Sequence, residues 1–183
     1  MTDLKHAVPT KLLWIDLEMT GLKPSQDLIL EVAVEITDFN FTPLASYEAR
    51  IQHPRQEVEN AMALNDFWQT YPENKDDFLA KLADAKPAAQ VQAELMALIK
   101  VQFGDEPAIL AGNSVHADRG FIEAQWPELF QLLHYRMLDV TSWKIIMQGK
   151  YGTEFTKKEA HRAFDDIHES IEELQFYLEA LQK

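Results

Sequence analysis

The sequence contains no cysteine, and this absence excludes two kinds of structure. A chain without thiols forms no disulfide bond and holds no metal through thiolate ligands. Any metal site in it must therefore be built from oxygen or imidazole ligands. The lack of cysteine also suits a reducing cytoplasm, and we expect a cytoplasmic protein.

Long apolar runs are also absent. Nowhere do about 18 uncharged apolar residues follow one another, and residues 1–10 do not resemble a signal peptide. We therefore expect no membrane partner. The 183 residues, 46% of them hydrophobic and 26% charged, have the composition of a globular protein and the size of one domain.

Basic residues are few: the chain has 17 Lys and Arg against 30 Asp and Glu, for a net charge of −13 at pH 7. A protein that binds long nucleic acid usually carries a basic stripe, and none is visible here. Either the substrate is not a polyanion, or it is so short that metal ions and a few cations suffice. A plainer alternative is that the acidity only keeps the protein soluble.

The apolar pattern predicts the order of the secondary structure elements. Alternation predicts three strands over 12–19, 28–36 and 44–51, arranged as an antiparallel meander. Helical spacing follows over 57–103, with interruptions near 71–72 and 86–87. Two further strands are predicted, each followed by a helix, over 108–111 and 135–140.

The closing helix has the clearest pattern. Its apolar residues recur at intervals of three and four and form one stripe: Phe164, Ile167, Ile171, Leu174, Leu178 and Leu181. Meandering strands followed by mixed strands and helices indicate a single α/β domain with a mixed five-stranded sheet.

The first candidate site residues are Asp16 and Glu18. As residues i and i+2 of a strand they project from the same face, roughly 7 Å apart. The surrounding residues are so apolar that this strand should be central and buried, where two like charges need a compensating cation. Oxygen ligands favour a hard cation such as Mg²⁺ or Mn²⁺. The alternative is an edge strand with both carboxylates in water.

Histidine and aspartate occur together near the start of the closing helix. Asp165 lies four residues after His161 on the same helical face, but it points nearly opposite the apolar stripe. Asp166 lies roughly 100° from the stripe, at its flank. A site at the edge of the buried face therefore favours Asp166. His161 alone is more typical of a cap or a surface residue.

Asp118 follows the fourth predicted strand, close to the start of a helix. An acid in that position has a simpler explanation, since it interacts favourably with the helix dipole. His116 is interpreted as a surface residue.

Taken together, these motifs resemble those of the DEDDh exonuclease superfamily. Three segments carry the resemblance, in the superfamily's order: Asp16-Leu-Glu18-Met-Thr-Gly-Leu22, Asn113-Ser-x-x-x-Asp118-x-x-Phe121 and His161-x-x-x-x-Asp166. Longer strings are similar to the oligoribonuclease family: Trp-Ile-Asp-Leu-Glu-Met-Thr-Gly-Leu, Tyr135-Arg-x-x-Asp-Val140 and His161-Arg-Ala-x-Asp-Asp-Ile167-x-Glu-Ser170. The likeness runs from about residue 12 to residue 181.

The resemblance implies a ribonuclease H-like fold and a single exonuclease domain over residues 1–183. It implies four ligands for two Mg²⁺ or Mn²⁺ ions: Asp16, Glu18, Asp118 and Asp166. It makes His161 the general base that deprotonates the attacking water, a role that suits imidazole near neutral pH.

The resemblance also implies how substrate is held. Leu22 resembles the family's apolar wedge beside the bases, and Trp68 its aromatic partner, although Trp68 alone would equally suit a helix core. The remaining predicted contacts form a cap on the substrate's 5′ phosphate, partly across a homodimer interface: Ser114, Tyr135, Arg136 and Thr141. Such a cap would select short RNA.

Two positions depart from the family pattern. Thr141 stands where serine is common, and it keeps the hydroxyl group. Glu73 stands where a histidine is frequent, and an anion cannot bind phosphate in its place. Either Lys75 substitutes for that histidine or the cap is weaker.

The expected function is hydrolysis of dinucleotides and slightly longer single-stranded RNA from the 3′ end to 5′-mononucleotides, with no long duplex as substrate. A proofreading-type DNA exonuclease would share the catalytic residues, but the Tyr135-Arg136 string and the lack of basic surface argue against it. A catalytically inactive relative would lack one of the four acids or the histidine, and all five are present.

Overall fold

The computed structural model of the protein describes residues 8–156 and 163–182. Within them, five strands form one mixed sheet in the order β3-β2-β1-β4-β5: β1 (Lys11–Met19), β2 (Ile29–Asp38), β3 (Pro43–Arg50), β4 (Ala108–Gly112) and β5 (Leu133–Asp139). The first three strands are an antiparallel meander, and β4 and β5 run parallel to β1. The predicted mixed five-stranded sheet is confirmed, and β1 is its central strand.

Eight α-helices flank the sheet in the described part of the chain: α1 (Arg55–Ala63), α2 (Asp66–Thr70), α3 (Pro72–Ala80), α4 (Ala88–Phe103), α5 (His116–Gln125), α6 (Pro127–Phe130), α7 (Val140–Tyr151) and α8 (Ala163–Ala180). The predicted interruptions are confirmed, because α3 begins at Pro72 and α4 follows Pro87, and proline suits a helix start. A further break precedes α2, where the Asn65 side chain accepts a hydrogen bond from the backbone N–H of Phe67. Among residues 8–156 and 163–182, no helix is long and apolar enough to cross a membrane.

The two faces of β1 pack against different helices. One face turns Leu13, Ile15 and Leu17 into a core that includes residues of α4 and α5. The other face turns Leu12 and Trp14 toward residues of α7 and α8. This alternation is the strand periodicity that the sequence predicts, and it directs the face carrying Trp14, Asp16 and Glu18 toward α8.

Helix α8 and strand β5 differ in detail from the predicted elements. The stripe of α8 is confirmed at Ile167, Ile171 and Leu174, which are buried. Leu181 was predicted to complete the stripe, but it follows the helix end and is exposed. β5 begins two residues earlier than predicted and stops at Asp139, whose side chain accepts a hydrogen bond from the N–H of Thr141 and caps α7.

Candidate active site

Three carboxylates meet where the end of β1 faces the first turn of α8. Ligand oxygens of Asp16, Glu18 and Asp166 all lie within 4.8 Å of one another. Asp165 is exposed in the same helix turn, while Asp166 is half-buried. The structure therefore brings Asp166, and not Asp165, to the pair on β1, as the position of Asp166 at the flank of the apolar stripe predicts.

Asp118 lies beside β1, but it is not one of the three carboxylates whose oxygens lie within 4.8 Å of one another. It lies in the first turn of α5, is only 6% exposed, and accepts a 3.0 Å hydrogen bond from the backbone N–H of Leu17. The N–H of Leu17 is open to Asp118 because β4 pairs with β1 only at Leu13 and Trp14. Burial raises the pKa of Asp118, and the bond from Leu17 opposes that rise.

The chain approaches itself closely where β4 ends. A Cβ atom on Gly112 would lie 2.9 Å from the backbone carbonyl oxygen of Ile15. Glycine therefore allows β4 to run against β1 up to the point where α5 departs. Asp118 follows six residues after Gly112, in the first turn of α5.

Negative charges lie close together in the cluster. Burial raises the pKa of Glu18 to about 8, with further contributions from the charges of Asp166, Glu31 and Asp118. A carboxyl group that is hard to ionise beside other carboxylates is the situation that a bound cation relieves. The three acids of the cluster offer oxygen atoms only, and this donor set fits a hard divalent cation.

Glu31 also affects the site, because its negative charge raises the pKa of Glu18. The sequence patterns did not identify Glu31 as a site residue. The β1–β2 register pairs it with Glu18, so both side chains lie on one face of the sheet. Glu31 is buried and forms a 3.0 Å ion pair with Arg50 of β3. The alternation of β2 shows which face of the strand carries Glu31. That this face places Glu31 beside Glu18 follows only from the register of β1 and β2.

The loop between β1 and β2 presents Leu22, which is 79% exposed. Two hydrogen bonds hold the backbone at the start of the loop. The Thr20 carbonyl oxygen accepts them from the Trp68 indole at 3.0 Å and from the Asn65 amide at 3.1 Å. It closes through Asp27, whose carboxylate accepts bonds from the Thr20 hydroxyl group and the Lys23 N–H. Leu22 is therefore an exposed apolar side chain on a well-supported loop.

Trp68 does not occupy the position that base stacking requires. Its side chain is only 2% exposed and packs with residues of α1 and α3. This conformation matches the alternative interpretation, in which Trp68 is a helix core residue. Neither face of a buried ring is accessible to a nucleic-acid base. Its contact with the site is indirect and runs through the carbonyl group of Thr20.

Ser114 and Thr141 lie together, as their shared predicted role requires. The Ser114 N–H donates to Thr141 Oγ1 at 2.9 Å and to Asp139 Oδ1 at 3.0 Å, and the two hydroxyl oxygens are 3.1 Å apart. Ser114 has a positive φ of 53°, a left-handed conformation that is costly for a residue with a Cβ atom. The two hydrogen bonds to its N–H stabilise this turn.

Tyr135 and Arg136 are exposed on the edge strand β5. The Tyr135 ring stacks on His134 with centroids 4.5 Å apart, and the Arg136 guanidinium lies 5.2 Å from the Tyr135 centroid. His134 Nδ1 also accepts a hydrogen bond from the N–H of Arg136. The three side chains thus form an ordered exposed group.

Three other residues considered in the sequence analysis lie on helices: Glu73 and Lys75 on α3, and His116 at the start of α5. Glu73 is exposed in the first turn of α3, where an acid suits the helix dipole, and Lys75 is half-buried in the same helix. His116 is exposed, as predicted, with Nδ1 3.5 Å from Asp139. His161, the predicted general base, lies outside the described residues.

Comparison of the sequence with known protein families identifies the family of this chain. The sequence model of the RNase T exonuclease family matches residues 13–174. The chain therefore belongs to the exonuclease family, and the expectation that it is a nuclease is confirmed.

Comparison with individual relatives shows which group of exonucleases this chain is similar to. The oligoribonuclease of Thiobacillus denitrificans is 34% identical over 175 residues, which cover 93% of this chain and 94% of the relative. That of Francisella tularensis subsp. novicida is 36% identical, with 93% and 95% covered. The mitochondrial oligoribonuclease of Bos taurus is 35% identical, with 94% and 73% covered. Within the exonucleases, the chain belongs with the oligoribonucleases.

Solved structures share the fold. Exonuclease I from Methylocaldum szegediense superposes with a TM-score of 0.60 at 16% identity, covering 90% of this chain. Escherichia coli exonuclease I in complex with a 5cy-dT13 oligonucleotide gives 0.60 at 12% identity, covering 94%. The chain spans 39% and 41% of those two chains. The expected ribonuclease H-like fold is confirmed.

Proposed function

We propose that the protein is a 3′→5′ exoribonuclease that hydrolyses short single-stranded RNA, dinucleotides above all, to 5′-mononucleotides. The observation that carries this proposal is the meeting of Asp16, Glu18 and Asp166 within 4.8 Å, at the end of the central strand and beside an exposed apolar loop. Membership of the oligoribonucleases supports RNA as the substrate.

In this proposal, Asp16, Glu18, Asp118 and Asp166 hold two Mg²⁺ or Mn²⁺ ions. When bound, such ions supply Lewis-acid stabilisation of the negative charge that develops on the phosphate and on the leaving oxygen. The backbone N–H of Leu17 holds one oxygen of the Asp118 carboxylate. His161 takes the proton from the attacking water, a role supported by the sequence resemblance alone.

The exposed groups would bind the rest of a short substrate. Leu22 offers an apolar surface to a base without distinguishing one base from another, since every base has an apolar face. Ser114 and Thr141 offer hydroxyl groups, and Arg136 offers a guanidinium group, for a terminal 5′ phosphate. The acidic chain suits such a substrate, because only one or two phosphates have to be neutralised.

The proposal includes a homodimer in which Tyr135 and Arg136 reach the partner's site. The large exposed ring of Tyr135, 68% accessible in the single chain, is compatible with that role. We also propose a cytoplasmic location, which the absence of cysteine favours.

The test is hydrolysis by the purified protein of a labelled diribonucleotide, a 30-residue RNA and single-stranded DNA, each with Mn²⁺ or Mg²⁺ and with EDTA. We expect turnover of the dinucleotide to be fastest, to stop in EDTA and to return with either metal. Faster turnover of DNA would replace the proposal with a DNA exonuclease. Full activity in EDTA would remove the metal mechanism. The mass in solution, measured by light scattering, tests the dimer.

A further inference from the structure

A buried polar network connects the metal-ligand turn of α8 to the turn that carries Ser114. Four residues of α8 recur at intervals of four, three and four, so they share one face of the helix: Asp166, Ser170, Glu173 and Tyr177. Ser170, Glu173 and Tyr177 are buried. A polar face inside a packed helix interface is costly unless its groups are hydrogen-bonded.

Asn113, at the end of β4, is the centre of this network. Its Nδ2 donates to Ser170 Oγ at 2.9 Å and to Glu173 Oε2 at 3.0 Å. Its Oδ1 accepts a longer bond, 3.3 Å, from Thr141 Oγ1. Both ends of the amide are therefore used, and the carboxylate of Glu173 determines which end faces α8.

The network continues in both directions. On the side of the metal ligands, the Ser170 hydroxyl donates to the backbone carbonyl oxygen of Asp166 at 2.8 Å. On the other side, Thr141 Oγ1 accepts the N–H of Ser114 at 2.9 Å. Glu173 is itself held by a 2.8 Å bond that its Oε1 accepts from the Tyr177 hydroxyl group.

We propose that Glu173 is a positioning residue for recognition of the 5′ phosphate. By fixing the Asn113 amide, it holds the Thr141 hydroxyl group against the left-handed turn at Ser114. It thereby sets the position of both cap hydroxyl groups relative to the ligands on α8. This inference rests on the proposed function, because it assumes that Ser114 and Thr141 bind a terminal phosphate.

Glu173→Leu removes the carboxylate while filling a similar volume, so the Asn113 amide keeps its bond to Ser170 but loses its charged acceptor and is held less firmly. We expect the KM for a 5′-phosphorylated dinucleotide to rise about tenfold, the effect of one charge-assisted hydrogen bond. The kcat should change by less than about threefold, since the cap contributes to binding and not to the chemical step. The KM for a 5′-phosphorylated pentamer should change by less than about threefold as well.

Two matched variants separate positioning from general damage. Glu173→Gln can still accept from Asn113 while its amide donates to the Tyr177 hydroxyl group, so it should restore KM to near the wild-type value. Tyr177→Phe removes a different hydrogen bond of the same carboxylate. It should lower the thermal unfolding midpoint as Glu173→Leu does, yet raise the dinucleotide KM by less than about threefold, because the bond from Asn113 to Glu173 remains.

The experiment compares kcat and KM for the dinucleotide with and without its 5′ phosphate and for the pentamer, in all these proteins. Should Glu173→Leu fail to fold, Asn113→Ala is expected to give the same selective rise in KM. Equal losses on dinucleotide and pentamer, or a fall in kcat alone, would overturn the inference. A wild-type protein indifferent to the 5′ phosphate would instead overturn the proposed cap, and the inference would fall with it.

Discussion

The metal-ligand end and the cap end of the candidate site are built differently. Asp16 and Glu18 lie on the interior strand β1, and α5 and α8 bring Asp118 and Asp166 to it from packed positions. The proposed cap residues lie on the edge strand β5, on the turn after β4 and in the first turn of α7, and three of them are exposed: Ser114, Tyr135 and Arg136. The first group is positioned by sheet register and core packing, and the second by hydrogen bonds at the surface.

This difference has an energetic consequence. Charges in a partly buried site interact strongly, because the local dielectric constant is low, whereas charges at the surface are screened by water and salt. Changes at the metal-ligand end should therefore abolish or strongly reduce turnover. Changes at the cap end should alter which substrate is preferred by much smaller factors.

The largest effect is expected at Asp166. Asp166→Asn removes one charge from the carboxylate cluster and should lower kcat by about 10³-fold or more, since Lewis-acid stabilisation is worth several kcal/mol. Asp165→Asn is the matched control one residue away, and it should keep most of the activity because Asp165 is exposed. Single-turnover rates at saturating Mn²⁺ measure both variants. A larger loss for Asp165→Asn would mean that α8 has a different rotation.

His161→Ala should lower the rate of the chemical step by about 10²–10⁴-fold, as loss of a general base usually does. Metal affinity should remain nearly unchanged, because the carboxylates are the proposed ligands. Mn²⁺ binding measured by calorimetry, beside the single-turnover rate, distinguishes the two roles. A parallel loss of metal binding would make His161 a ligand.

Metal affinity should depend on pH through Glu18. Burial raises its pKa from 4.5 to about 8, so below that pH a proton occupies a group that we propose as a metal ligand. Affinity for Mn²⁺ should fall by up to about tenfold for each unit of pH below 8, and metal binding should release a proton. Calorimetry at pH 6, 7 and 8 in buffers of different ionisation enthalpy measures both effects. Affinity that is constant over this range would show that Glu18 is already ionised without metal.

The smallest effect is expected at the exposed end. Arg136→Ala should raise KM about tenfold for a 5′-phosphorylated dinucleotide and much less for a longer RNA, whose binding is shared among more contacts. Removing the 5′ phosphate should weaken binding to the wild type and hardly affect the variant, which a double-mutant cycle quantifies. Arg136→Lys tests whether the planar guanidinium is needed. Equal losses on all lengths would leave a general exonuclease.

The sequence was most informative where a repeating pattern has one structural solution. Strand alternation placed Asp16 and Glu18 on one face, and the apolar stripe of α8 placed Asp166 at its flank. That the three acids belong to one site was implied by the family resemblance and not by either pattern. Trp68 shows the limit of such reasoning. An aromatic residue in a short helix suits a core as well as a binding surface, and only the packing of α1, α2 and α3 around it distinguishes the two.

The sequence patterns could not predict which distant segments of the chain pair with one another. The register that brings Glu31 beside Glu18 depends on the exact alignment of β1 and β2. The contact between Asn113 and Glu173 joins residues 60 positions apart in the chain. The sequence by itself determined which residues share a face, because side-chain direction follows from the local period of strand and helix. Only the tertiary structure decided which faces meet and which polar groups become partners, because burial and hydrogen bonding depend on how whole elements pack.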